Sequence, residues 1–192
     1  MVYLLIGAVI LLIVGPIIAV LPSKRQREQM AMRKKAMAAG VSIEFTSIED
    51  PDPDPEKYLS NTGKPLERIM RVVAYRVLRP KPSSWRQMPR IDWCAVRTGA
   101  SGSGELPDGW QWANQLPAEM SNELRSFLVN GLQKMPNDVV RVDEVRFVIS
   151  AYWNERGGDE DLSIIMDFLS ECAGINPVKP MSESDDSNDQ SE

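Results

Sequence analysis

Residues 2–21, VYLLIGAVILLIVGPIIAVL, carry no charged side chain, and residues 23–39, SKRQREQMAMRKKAMAA, follow them directly after Pro22. The second stretch holds Lys24, Arg25, Arg27, Arg33, Lys34 and Lys35 against Glu28 alone, a net charge of +5. At about 1.5 Å per helical residue, Tyr3 to Leu21 reaches roughly 28 Å, close to the ~30 Å hydrocarbon core of a bilayer. The pair predicts a transmembrane helix over 1–21 and a basic juxtamembrane helix over 22–40. Only Met1 and Val2 precede the apolar run, and its exit, Ala19-Val20-Leu21-Pro22, lacks a small-x-small cleavage pattern. A retained anchor is therefore expected in place of a cleaved signal peptide. Lys and Arg beside a membrane segment stay on the cytoplasmic side, which predicts a single-pass inner-membrane protein with its N-terminus outside and its body cytoplasmic.

Within the apolar run Gly15 and Ala19 form a small-xxx-small pair, a candidate face for helix packing in the membrane. In the basic stretch Ser23 and Gln26 have the spacing of a capping box, good helix formers follow, and Gly40 supplies a stop. The six basic residues either fix topology or rest on anionic lipid, each then contributing about 1 kcal/mol.

Composition narrows the remainder. Of the 192 residues, roughly 110 to 135 lie outside the anchor and an acidic tail, the size of one compact domain. The overall charge is −5, and the tail contributes Glu183, Asp185, Asp186, Asp189 and Glu192 with no base. An acidic body on a basic collar argues against a nucleic-acid partner. Histidine is absent, which removes the commonest general base and the commonest metal ligand together. Cys94 and Cys172 stand far apart on apolar-patterned segments and read as buried free thiols.

Val41–Ile48 alternates as a strand, and Asp50-Pro51-Asp52-Pro53-Asp54-Pro55-Glu56 reads as part of a stiff acidic linker or loop over 49–64. The aspartate spacing opens like a calcium loop, but Pro55 stands where a Gly is needed and Asn61 where a Glu should chelate. Further strands are expected over Ile69–Arg79, Ile91–Arg97, a short piece at Trp110–Trp112, and one central strand over Glu144–Asn154. Helices are expected over Pro117–Met135 and from Asp159 to Gly174. The glycine-rich stretch 99–104 has the wrong spacing for a phosphate loop, and Glu105 would repel a phosphate. Trp110 and Trp112, at i and i+2, share a face and serve either as core or as a partner-binding patch. Residues 176–192 lack the apolar content to order themselves. The predicted class is α+β: the transmembrane helix, the basic juxtamembrane helix, then over 41–175 a small, mainly antiparallel sheet with two packed helices.

An apolar helix leading into Pro22-Ser23-Lys24-Arg25-Gln26-Arg27-Glu28-Gln29, then a basic helix, Gly40-Val41 and a strand, resembles the layout of YajC-type accessory subunits of the bacterial preprotein translocase. The likeness covers residues 1–48 and implies a single-pass inner-membrane protein with a small cytoplasmic domain and no catalytic residues. The tryptophan-rich remainder has no counterpart in that family, so no site residue is carried over. The sequence thus points to a membrane accessory protein whose cytoplasmic domain binds a protein partner, without catalysis and without cofactor or metal. An anionic-lipid-binding surface module and a histidine-independent membrane-anchored enzyme are the alternatives.

Overall fold

The computed structural model describes residues 22–80, 90–99 and 105–179, with isolated positions 2, 3, 6, 7 and 12 before them. Three helices, α1 (Lys24–Ala38), α2 (Asn122–Lys134) and α3 (Asp159–Gly174), join six strands: β1 (Ser42–Glu49), β2 (Ile69–Leu78), β3 (Trp93–Arg97), β4 (Trp110–Trp112), β5 (Val139–Val145) and β6 (Val148–Trp153). The strands form one antiparallel sheet in the order β1-β2-β6-β5-β3-β4.

The period of two along each strand separates two unlike faces. Ile43, Tyr75, Ala151, Val142, Ala95 and Trp112 form one row across all six strands; the middle four belong to the main core and Ile43 and Trp112 pack against it. The three helices cover this face with Met32 and Ala36 from α1, Leu124, Leu128 and Leu132 from α2, and Leu162, Ile165 and Leu169 from α3. On the other face Ile48, Val72, Ala74 and Tyr152 cluster with one another and with no helix residue.

The expected architecture requires correction at its N-terminal side. Among the described residues no helix is long and apolar enough to cross a membrane. The described helices have 15, 13 and 16 residues, lengths of about 20 to 24 Å against a ~30 Å hydrocarbon core, and each carries charged side chains. The helix expected over 1–21, with Gly15 and Ala19, falls on positions that, apart from 2, 3, 6, 7 and 12, lie outside the described residues. The basic stretch also forms no separate juxtamembrane element: α1 is the third helix of the domain. Met32, Ala36 and Val41 bury because a helical stripe of just two side chains suffices where the sheet already supplies the opposing surface.

A second difference lies at the centre of the sheet. The single strand expected over Glu144–Asn154 is a hairpin, β5 and β6, turned by Arg146 and Phe147 at φ 52° and 67°. Two positive φ values fit the turn that matches strand twist, but Asn-Gly is its usual sequence, so Arg-Phe gives no local signal. The acidic segment is also no extended spacer. Tyr58 is buried and donates to Asp50 at 2.5 Å, Lys57 lies 3.1 Å from the same carboxylate, and Asp52 accepts the Gly99 N–H at 2.8 Å. The aspartates act as loop acceptors within the β1–β2 connection. At the other end the chain stays in the fold to Lys179: Ser121 N–H donates to the Pro177 carbonyl at 2.8 Å, and Lys179 N–H to that of Glu119 at 2.9 Å. The remainder of the expected acidic tail lies outside the described residues.

Arg79, just past β2, ties the helical layer to the sheet. Its Nε and Nη2 donate to the two oxygens of Glu144 at 2.6 and 2.7 Å, and Nη1 donates to the carbonyls of Cys172 at 2.7 Å and of Ile175 at the end of α3. Trp93 Nε1 donates to Glu144 Oε2 at 3.0 Å, so the carboxylate accepts three hydrogen bonds. Both partners are almost completely buried. Removing one member of such a pair strands the other, so Arg79→Met is expected to cost about 3–5 kcal/mol in urea denaturation. A loss below about 1 kcal/mol would show that the pair does not hold α3.

On the uncovered face Asp143 is buried beside Arg141, Ser150 and Tyr152, and Arg141 Nε donates to it at 2.8 Å. Burial raises its carboxyl above the ordinary range in spite of these neighbours. Its contribution is therefore fully present below the unfolded carboxyl pKa, about 4, and is lost as pH rises through the folded value. Asp143→Asn should gain stability relative to the parent as pH increases from 4 to 8. Parallel stability curves for the two proteins over that range would contradict this.

Candidate functional site

The junction of α1 with the domain is built on Glu155. This residue leaves β6 with φ 52°, a left-handed conformation uncommon outside glycine, and its side chain is turned inward and buried. Arg33 from α1 reaches it with two bonds, Nε to Oε1 at 2.8 Å and Nη2 to Oε2. Tyr75 of β2 donates its hydroxyl to Oε1 at 2.8 Å, and Gln29 Nε2 donates to the Glu155 main-chain carbonyl at 3.2 Å. The bond to Glu155 and its charge hold the Arg33 guanidinium above its ordinary pKa against the effect of partial burial. Burial, then the same carboxylate, pushes the Tyr75 hydroxyl far up, so it stays a donor. Tyr75 in turn packs on Trp153, with ring centroids 5.6 Å apart. The helix that begins this arrangement is fixed by its own sequence: Gln26 N–H donates to Ser23 Oγ at 3.3 Å while Ser23 N–H donates to Gln26 Oε1 at 2.8 Å, the expected capping box.

This geometry divides the six basic residues. Arg33, 21% exposed, belongs to the interior. Lys35 lies 3.5 Å from Asp159 at the start of α3, and Lys24 lies 3.9 Å from Glu28 one turn along. Arg25, Arg27 and Lys34 are exposed with no ion pair among the described residues. Helical spacing sets Arg27 and Lys34 on the ridge opposite Met32 and Ala36, facing away from the domain, while Lys24 and Arg25 lie with Met32 around a hollow beside Glu155 and Gly157. The shoulder between ridge and core carries Met30 and Met37, 48% and 56% exposed. Arg33 marks that shoulder as the one above β1, because its guanidinium lies 4.6 Å over the ring of Phe45, itself 68% exposed.

Trp110 and Trp112 do share the helix-covered face. Trp110 is 1% exposed and lies under the Arg97 guanidinium at 4.5 Å, so it is core and no partner patch. Trp112 is half-buried, edge-on to Trp93 at 6.5 Å. Arg97 itself caps the turn after α2, donating to the carbonyls of Met135, Pro136 and Val139.

Reactive chemistry has little to work with in the described part. Cys94 and Cys172 are buried free thiols, pushed by desolvation to about 11 and about 12, and hence protonated at neutral pH. Among the described residues no three His, Cys, Asp or Glu side chains could hold a metal ion. A cavity of about 530 Å³ is lined by Arg97, Asp108, Trp110 and Gln133, and one of about 480 Å³ by Phe127, Phe168, Lys134, Asp167 and Glu171. No protein-family model, curated protein or solved structure matches the chain.

Glu155 and the internal use of Arg33 were not visible in the sequence, where Glu155-Arg156-Gly157-Gly158 reads as a turn. Glu155→Gln keeps the shape and removes the charge. It should weaken α1 docking by about 1.5–3 kcal/mol, seen as faster amide exchange throughout Lys24–Ala38 with the β5–β6 hairpin unchanged. Unchanged exchange in α1 would show that its apolar stripe alone holds it.

Proposed function

We propose that this protein is a non-catalytic accessory protein working at the cytoplasmic face of the inner membrane, where its α+β domain binds a protein partner. One observation carries the reading: the basic helix and the sheet form a single unit through Arg33, Glu155 and Tyr75, while the ridge of Arg27 and Lys34 stays outward. A cationic surface rigidly joined to a domain can hold that domain in one orientation against an anionic bilayer. A stalk could not. The uncharged stretch 2–21 beside it and the resemblance of residues 1–48 to YajC-type subunits support the same address. The absence of histidine and the raised thiols support a role without catalysis.

The exposed ridge also favours a second reading, a lipid-binding module with the domain as a passive spacer. Crosslinking in intact membranes, followed by identification of the adducts, separates the two. Recurrent adducts to one protein, retained when Arg27 and Lys34 are changed to Gln, support the accessory role. Adducts to lipid alone, with binding to vesicles of 30% anionic lipid falling about 30-fold in the same double variant at roughly 1 kcal/mol per base, would overturn it.

A further inference from the structure

β1 is an edge of the sheet: it pairs with β2 through eight consecutive residues without a register shift, and among the described residues no strand pairs its other side. Free edges are normally blunted by lysine, proline, a bulge or shortness, since their unpaired N–H and C=O groups template another strand. The opposite edge, β4, follows that rule with three residues. β1, SIEFTSIE, contains neither lysine nor proline and no bulge. Above it Phe45 is largely exposed, flanked by the Met30–Met37 shoulder of α1. Its charges are all acidic, Glu44 and Glu49, and Arg76 pairs Glu44.

We infer that the β1 edge is the docking site for an extended segment of a protein partner, which adds to the sheet as a seventh, antiparallel or parallel, strand. Only another polypeptide backbone satisfies a row of alternating donors and acceptors, which sets the class of occupant. Its side chains alternate, so those on the helix-bearing side meet Phe45, Met30 and Met37 and are apolar, while a Lys or Arg on that side lies near Glu49. Phe45 and Glu49 share this side because they are four residues apart on one strand. The inference rests on the protein-binding reading and names the surface and the partner's chemistry.

The test uses the full chain in detergent micelles and random twelve-residue peptides presented for selection. Enriched peptides should alternate apolar residues and contain Lys or Arg. A synthetic copy should slow amide exchange in Ser42–Glu49, and Phe45→Ser should weaken its binding at least tenfold with the melting temperature unchanged. Ile164→Ser, on the exposed side of α3, should leave binding intact. Peptides that bind but protect another surface overturn the edge assignment and leave the protein-binding reading standing. Protection of β1 by the chain alone, rising with its concentration and matched by dimer in sedimentation, assigns the edge to a second copy and overturns the proposal. Failure to select any peptide, together with no protein adduct in membranes, removes both.

Discussion

Two buried carboxylates hold this fold in register, and each is bound by an arginine from a different layer. Glu144 takes Arg79 and Trp93 at the end of α3, and Glu155 takes Arg33 and Tyr75 under α1. Both acids come from the β5–β6 unit at the middle of the sheet. A buried carboxylate without a cation would cost several kcal/mol, so α1 cannot shift without exposing that cost, and a shift of α3 would take the Cys172 and Ile175 carbonyls from Arg79. Hydrophobic contact positions the layers loosely, while the directional, two-pronged arginine contacts select one arrangement. The stabilisation from each pair is modest beside the specificity it confers.

That constraint explains why a strongly basic helix can belong to a compact domain. Of its six cations one is neutralised internally and two lean on neighbouring carboxylates, and of the other three Arg27 and Lys34 form a cationic ridge at a defined angle to the sheet. The same docking sets the Met30–Met37 shoulder over Phe45 and the free edge of β1. The surface that faces outward thus follows from one contact, while the open edge follows from β1 standing last in the strand order.

Much of the domain was legible along the chain. The period-two pattern of Ile69–Leu78 and the helical spacing of Leu124, Leu128 and Leu132 are local properties, and the elements stand within a few residues of expectation. Ser23 and Gln26 announce α1 because the cap is a four-residue interaction. The failures share a cause. Arg146 and Phe147 turn the chain with positive φ although neither residue prefers it, because the pairing of β5 with β6 outweighs the local preference. Asp50, Asp52 and Asp54 look like a repelling run until loop geometry gives Asp50 the Tyr58 hydroxyl within the same loop and Asp52 the distant Gly99 N–H.

By itself the sequence determined what short-range physics can encode: helix caps, strand alternation, the lack of histidine, the basic collar and the uncharged stretch before it. Tertiary structure alone decided which charges are buried, which face of the sheet the helices cover, that Trp110 is core, and that β1 is an edge. Each of those depends on contacts between residues tens of positions apart, as Arg33 and Glu155 are, and a period or a propensity carries no record of such a partner.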